Sequence, residues 1–570
     1  MNGAILPTHD ASLSFLQTVV IVDDHAYVPL ADSAAEAATL DGEEIHDYAE
    51  EPLSQQVVDD ASSFLDPEAL DTEKIVERFA DLGMTCAVLA PKFDNEILDS
   101  ERLLKVANRA DVLILDWIIR PTVAVNQTNN GPKKNRTSME LLQGILRADA
   151  EKGARLRLVC IYTGSRNLRG ILDQISEQLG KEFSNVKANS ESMYIDVSVA
   201  RIVLLNKDSQ INGDEASTVA AIKLPDRVVE EFSSFASSGI LPQLALSSLS
   251  VIRDQAHQLL RRFNSSLDPA VLAHRSTTSP IDTEQFIVSL IGDELSSLIS
   301  AGNVTQALSD DNVTREIQDR FAGRSEAYAW SAFNDEASAK TLKVDDAIKA
   351  LSLGVDDETR IKDGSGVKLA VNASRTSLLL AGSQADVRGN SRRIDLEFSA
   401  LSSLSRDRAF DGERLTPPEL HLGTLVMQPD DGPGEGGVVN RYWLCLQPLC
   451  DSARLTEQTR FPFLPLTECD PKSSSFDLVV HHQGYRALKL QGLKFNQVTF
   501  FNFQPELNRS AVVASWCEEA WEFRTASFEK LVWLGNIRLD KAHKLIHAVV
   551  TDAGRIGINE YEYLRRLSSK

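Results

Sequence analysis

Val112-Leu113-Ile114-Leu115-Asp116-Trp117 is an apolar, partly β-branched run that stops abruptly at a carboxylate. A strand buried on both faces of a parallel sheet reads this way, as a continuous hydrophobic segment rather than an alternation. Three more stretches share the pattern: Val19-Val20-Ile21-Val22-Asp23-Asp24, Leu158-Val159-Cys160-Ile161-Tyr162-Thr163-Gly164 and Ile202-Val203-Leu204-Leu205-Asn206-Lys207-Asp208. Four such strands carry Asp23, Asp24, Asp116, the Thr163 hydroxyl and the Lys207 ammonium to one edge of one sheet. In an open α/β sheet the carboxyl edge of the strands is where ligands bind.

The segments between them read as helices and one further strand. Ile75, Val76, Phe79 and Leu82 have helical spacing within Glu73 to Leu82, and Gly83 follows as a C-cap. Thr85 to Leu89 reads as a strand, and Leu98 to Ala107, Met139 to Leu146 and Leu168 to Leu179 as helices. This alternation predicts an α/β fold with a doubly wound parallel sheet, flavodoxin-like in kind. Tyr194 to Val199 is an extra strand candidate, and Val228 to Phe235 closes the unit.

Three clustered carboxylates hold too much negative charge for one site unless a cation offsets it, and Mg²⁺ suits hard oxygen donors with retained waters. With the metal and Lys207 offsetting charge, the Asp116 carboxylate can attack a phosphoryl group, with Thr163 donating a hydrogen bond to it.

The order Asp-Asp, Asp, Thr, Lys at successive strand ends resembles the receiver domain of two-component response regulators, over roughly the first two-fifths of the chain. The resemblance implies Asp116 as phosphoacceptor, Asp24 as a direct metal ligand, Asp23 as a ligand through water, and Thr163 and Lys207 as the pair contacting the phosphoryl group. It also implies the backbone carbonyl of Ile118 in the metal shell and a histidine kinase as partner. Two positions depart from the family: Leu204 stands where an aromatic residue is usual, and Asp208 stands where proline follows the lysine. The connections are longer than in a minimal receiver, so insertions are expected. A haloacid-dehalogenase phosphatase uses similar residues but needs Asp-x-Asp after its first strand, whereas here the adjacent pair comes first.

At 570 residues the chain exceeds one hydrophobic core. Its formal net charge of -23 argues against general affinity for nucleic acid or an anionic membrane. No apolar run of membrane-spanning length and no secretory signal is visible, so a cytoplasmic protein is expected. The 6 cysteines are sparse and form no CxxC pair, against a disulfide framework or zinc ribbon. Pro29 to Glu73 holds 14 Asp or Glu and no Lys or Arg, a solvated acidic insertion or a docking surface for a basic partner. After Arg120-Pro121, the polar loop through Asn126, Asn129, Asn130, Gly131, Lys133, Lys134 and Arg136 reads as a solvated turn beside Asp116, or as one whose three cations, Lys133, Lys134 and Arg136, approach a phosphoryl group or a donor protein.

Three domains are expected: 1–240, receiver-like with long insertions; 241–364, helical; and 365–570, mixed strand and helix. Leu241 to Phe263, Thr283 to Ile299, Arg315 to Ala339 and Val344 to Leu353 read as helices of a domain that packs on the receiver or on a second copy, a homodimer. Strands are expected near Gly423-Thr-Leu-Val-Met, Tyr442-Trp-Leu-Cys-Leu, Phe476-Asp-Leu-Val-Val and Val498-Thr-Phe-Phe, with a Gly/Pro/acid hairpin connection at Asp430 to Gly437. Ser510 to Leu534 and Asp540 to Leu567 read as closing helices, and His543 and His547 share a helical face.

Three functions compete. The first is a phosphoacceptor with protein contact as its output. The enlarged receiver is similar to receiver proteins of Detocs-type bacterial antiviral two-component-like systems, which implies a phosphate sink competing with an effector-bearing response regulator. The second is a receiver-regulated enzyme or interaction effector whose output lies in residues 365–570, with Cys450, Asp451, His481 and His482 as candidates. The third is a scaffold with an inert receiver.

Overall fold

A computed structural model describes residues 7–24, 26, 70–91, 93–94, 97–98, 100–119, 136–151, 155–165, 167–207, 217–278, 280–323, 326–330, 339–355, 360–362, 368–370, 376, 380, 387–405, 417–429, 440–470, 476–490, 495–506, 508–517 and 520–553. Most of the acidic stretch at 29–73, the loop at 120–135 and the hairpin connection at 430–439 lie outside the described residues. Contacts divide the chain into two compact units, Met1–Leu259 with Leu295–Asn312, and Leu260–Glu294 with Val313–Lys570.

The first unit is built in the order α1 (Pro7–Phe15), β1 (Thr18–Val22), α2 (Thr72–Asp81), β2 (Thr85–Leu89), β3 (Phe93–Asp94), β4 (Ile97–Leu98), α3 (Ser100–Ala107), β5 (Val112–Leu115), α4 (Arg136–Ala150), β6 (Arg157–Thr163), α5 (Leu168–Gly180), β7 (Val186–Asn189), β8 (Tyr194–Val197), β9 (Ala200–Lys207), β10 (Thr218–Val219) and α6 (Leu224–Ala236). The main sheet runs β2-β1-β5-β6-β9-β8-β7, with β10 beside β9. Pairing is parallel from β2 through β9 and in β9–β10, and antiparallel where β8 and β7 extend the sheet. This is the doubly wound arrangement that the four apolar runs predict. The strand order reverses at β1, between β2 and β5, and a switch point of this kind opens a crevice at the carboxyl edge.

Both faces of the sheet are covered, which explains why its strands lack alternation. Val20, Val22, Leu113, Leu115, Val159, Ile161, Ile202 and Leu204 pack with α3, α4 and α5. Their neighbours Val19, Ile21, Val112, Ile114, Leu158, Cys160, Val203 and Leu205 pack with α2 and α6 on the other side. At the end of α2 Gly83 adopts φ 78, a left-handed conformation without a Cβ penalty, and its amide donates to the Ala80 carbonyl at 2.9 Å.

Helix α1 packs against the unit ahead of the first strand. Ala11, Ser12 and Leu16 are buried, and the Phe15 ring stacks on Phe232 of α6 at 5.7 Å. Helix α7 (Ile240–Arg262) starts in this unit, with Gln243, Leu246 and Ser250 buried. Arg253 donates to both carboxylate oxygens of buried Asp111, at 3.2 and 3.0 Å, and to the Phe15 carbonyl at 2.8 Å.

The following helices are α8 (Asp268–Thr277), α9 (Pro280–Ala301) and α10 (Asp310–Phe321). Beyond them the expected helix over Arg315 to Ala339 is overturned. Helix α10 ends at Phe321, and Glu326–Trp330 pairs antiparallel with Ala339–Lys343 as β11 and β12. Glu-Ala-Tyr-Ala-Trp alternates small and aromatic residues, a strand pattern that outweighs the helical tendency of alanine. Helix α11 (Val344–Leu353) buries Ala347 and Leu351 against Ile317 and Phe321 of α10. A short hairpin, β13 (Arg360–Lys362) with β14 (Lys368–Ala370), and helix α12 (Val387–Ser403) follow.

The second unit contains a nine-stranded antiparallel sheet. Its strands are β15 (Thr424–Gln428), β16 (Arg441–Cys445), β17 (Thr459–Glu468), β18 (Leu478–His481), β19 (Tyr485–Leu490), β20 (Thr499–Phe503), β21 (Ser515–Cys517), β22 (Ala520–Arg524) and β23 (Lys530–Asn536). They are ordered β18-β19-β17-β16-β15-β23-β22-β21, with β20 on β17. Period-two alternation splits the core: Leu425, Leu444, Leu464 and Leu534 face α14 (Leu539–Ala553), while Val426, Phe463, Phe503 and Trp533 form the opposite face. Helix α13 (Leu449–Ser452) is one turn between β16 and β17.

The helix expected over Ser510 to Leu534 is replaced by β21, β22 and β23. In Ala-Trp-Glu-Phe-Arg the aromatic residues are two apart, and Phe523 and Leu531 are fully buried as cross-strand partners. Glu522, also buried, meets the Lys530 ammonium at 2.6 Å. The closing helix begins as expected, and α14 is described as far as Ala553.

Candidate functional site

The site grows from the ends of β1, β5, β6 and β9. Register aligns Val22 with Leu115, Leu115 with Ile161, and Ile161 with Leu204, so the residues after these positions emerge along one edge. The Asp116 amide donates to the Val22 carbonyl at 2.9 Å, which seats the loop after β5 against the end of β1.

Asp23, Asp24 and Asp116 each offer a carboxylate oxygen within 4.8 Å of the others. The Lys207 ammonium donates to Asp23 Oδ2 at 2.9 Å and to Asp116 Oδ2 at 2.8 Å. These are dry charges: Asp23 is 2%, Asp116 6% and Lys207 5% exposed. Asp24 is half-buried. Burial pushes the Asp116 carboxyl above its ordinary value; Lys207 opposes that shift and the neighbouring Asp23 charge reinforces it. Burial alone would lower the Lys207 ammonium, but Asp116 and Asp23 more than offset it and hold the group protonated above its ordinary value.

Among the described residues one ammonium meets this group of three carboxylates, a donor set that suits an added cation. Three converging hard oxygen donors fit Mg²⁺, which retains waters in the rest of its shell. Ile118, whose carbonyl the family resemblance puts in that shell, donates its amide to Asp116 Oδ1 at 2.9 Å. This bond aligns the carboxylate and joins residue 118 to it.

Thr163 closes β6 opposite Asn206, fully buried, and its hydroxyl accepts the Ser165 amide at 3.3 Å. Asn206 Nδ2 donates to the Ser165 carbonyl at 3.4 Å, linking the two loops. At position 204, where an aromatic residue is usual, Leu204 is buried in the core. An aromatic ring stands instead at Tyr162, whose centroid lies 5.8 Å from Lys207 Nζ and whose hydroxyl donates to the Val219 carbonyl of β10 at 2.9 Å.

Two site neighbours carry no signal in the sequence. Ser138, in the first turn of α4, donates its hydroxyl to the Asp116 carbonyl at 2.9 Å and is fully buried. A lone serine after a polar loop reads as a helix start, so its partner is visible only in three dimensions. Trp117, next to Asp116 in the chain, is fully buried in the core, and its indole N–H has no partner among the described residues.

The remaining candidates are not assembled in this way. Cys450 is exposed on α13, and its thiol contacts Asp451 Oδ1 at 3.4 Å. His481, exposed at the end of β18, stands against the Tyr485 ring at 4.9 Å, with His482 in the turn that follows. His543 and His547 are exposed on α14. Among the described residues, the aspartate triad is the acidic, histidine or cysteine grouping with metal-binding proximity.

No helix among the described residues is long and apolar enough to cross a membrane. No curated protein and no solved structure matches the chain. Residues 15–212 match the family described as the response receiver domain, a span that starts at the end of α1 and includes β1 through β9. Fold, edge chemistry and family match coincide over this part of the chain, which is similar to response receiver domains.

Proposed function

We propose that the receiver accepts a phosphoryl group from a phosphohistidine of a histidine kinase onto Asp116. The observation that carries this reading is the shared lysine: Lys207 Nζ stands between Asp23 and Asp116 in a buried site whose third carboxylate is Asp24. Mg²⁺ held by Asp23, Asp24, Asp116 and the Ile118 carbonyl would supply charge neutralisation for the phosphoryl oxygens.

In the transfer an Asp116 carboxylate oxygen forms the new O–P bond as the donor N–P bond breaks. The electron pair of that bond returns to the donor imidazole. Lys207 keeps its positive charge next to the added phosphoryl oxygens, and the Thr163 hydroxyl donates a hydrogen bond to them. Ser138 and the Ile118 amide hold the backbone and carboxylate of Asp116 in place.

For the biological role, we propose a phosphate sink in an antiviral two-component-like system, a reading supported by the resemblance of the enlarged receiver. With limiting kinase, adding this protein should lower phosphate loading on a competing effector-bearing receiver, and Asp116→Ala should abolish the competition. Undiminished competition by Asp116→Ala would remove the sink role.

A further inference from the structure

Helices α7 and α9 form an antiparallel arm. Gly302, at the end of α9, is packed so closely on Val251 that an added Cβ would lie 2.5 Å from its side chain, and further along Arg262 is ion-paired with Glu294. Helix α8 caps the arm: the Thr278 and Thr283 hydroxyls bond at 3.1 Å and the His274 and Phe286 rings lie 5.2 Å apart.

The distal part exposes a concentration of apolar side chains. Leu260 is 74%, Leu272 61%, Phe286 52% and Val288 71% exposed, with Leu267 and Leu290 also exposed. Phe286 and Leu290 share one face of α9 while Val288 lies on another. A helix apolar around its circumference belongs inside a core, and contiguous exposed apolar surface marks an interaction site.

Charge indicates the occupant. Helix α9 contains four acidic residues and no Lys, Arg or His, whereas residues 253–277 contain four arginines and two aspartates. Arg261, Arg275 and Glu284 are exposed. A chain of net charge -23 repels its own copies over most of its surface, but here basic and acidic helices stand side by side. Glu284 lies ten residues, about 15 Å, along α9 from Glu294, which is level with Arg262. Two antiparallel arms displaced by that distance place Arg261 of each against Glu284 of the other, the reciprocal pairing that a two-fold interface requires.

We infer that the α7–α9 arm is a homodimerisation surface, with exposed Leu260 and Val288 at its centre and Arg261 and Glu284, which shares the Val288 face, setting the register. Light scattering of the full chain across the micromolar range should give twice the mass of one chain. Val288→Glu should shift the mass to that of one chain with an unchanged thermal melt, since the side chain is already exposed. Arg261→Glu and Glu284→Arg should each weaken the dimer, and the double variant should regain it. A parent that is monomeric throughout overturns the inference and assigns the face to a different protein. A dimer that tolerates Val288→Glu, or a double variant no better than the singles, also overturns it.

Discussion

Lys207 Nζ lies 2.8 Å from Asp116 Oδ2, joining the ends of two strands whose residues are 91 positions apart. Removing one partner of a buried ion pair leaves a stranded charge and costs about 3–5 kcal/mol. Lys207→Ala should lower the urea midpoint accordingly, and Lys207→Ala/Asp116→Asn should recover part of the loss.

The same pair fixes a pH dependence. The Lys207 ammonium is held above its ordinary value by Asp116 and Asp23 against the opposing effect of burial, so its contribution is complete below the unfolded value, about 10.4. It disappears as pH rises through the higher folded value. Asp116 is shifted upward by burial, with Lys207 opposing, so its contribution runs in the same direction as that of Lys207. It favours folding in acid and is lost as pH rises from about 3.9 through the folded value. The metal-free parent should therefore lose more stability between acid and neutral pH than Asp116→Asn does, as read by thermal melts.

Trp117 can report on the site because it follows Asp116 in the chain and is fully buried. Mg²⁺ titration should change its fluorescence, read against a Trp117→Phe variant that isolates its signal from the other tryptophans. Asp24→Ala should weaken the response by at least tenfold in Mg²⁺ concentration. An unchanged midpoint would remove Asp24 from the ligand set.

The sequence makes the receiver legible because its parallel strands are buried on both faces, so that Val112 to Leu115 and Ile202 to Leu205 are uninterrupted apolar runs with polar ends. Asp23, Asp24, Asp116, Thr163 and Lys207 stand out because each ends such a run. Ser138 does not, since its importance is one hydrogen bond to a backbone carbonyl 22 positions away. The strands β21 to β23 were obscured by apolar spacing around Trp516, Cys517, Trp521 and Phe523 that suits either a helix or paired strands. Helix α1 was hidden for a different reason: its apolar residues Ala11, Leu13 and Phe15 are spaced two apart and mark no helical stripe.

The boundary of the first unit is testable at Arg253. Its guanidinium reaches Asp111, which also accepts the Gln17 and Thr18 amides at 3.1 Å. Arg253→Ala should cost about 1–3 kcal/mol. We propose that a fragment of residues 1–312 melts cooperatively and above one of residues 1–240, which lacks this contact and buried Leu246. Equal melting temperatures would show that α7 adds nothing to the receiver.

Cysteine reactivity separates exposed Cys450 from the cysteines packed into the cores of the two units. Burial pushes the Cys86 and Cys445 thiols up to about 12 and Cys160 higher still, suppressing their thiolates. Brief alkylation of the native protein at neutral pH should label exposed Cys450 before Cys160 or Cys445, as read by peptide mass spectrometry. Early labelling of Cys445 would contradict the core assigned to β16.

Incubation with Mg²⁺ and a small phosphodonor, followed by reductive trapping of the acyl phosphate and peptide mass spectrometry, tests Asp116 as phosphoacceptor most directly. The trapped adduct should map to Asp116 and be absent from Asp116→Ala, while Lys207→Ala retains a smaller amount. A trapped adduct at another residue, or undiminished labelling of Asp116→Ala, would contradict the assignment.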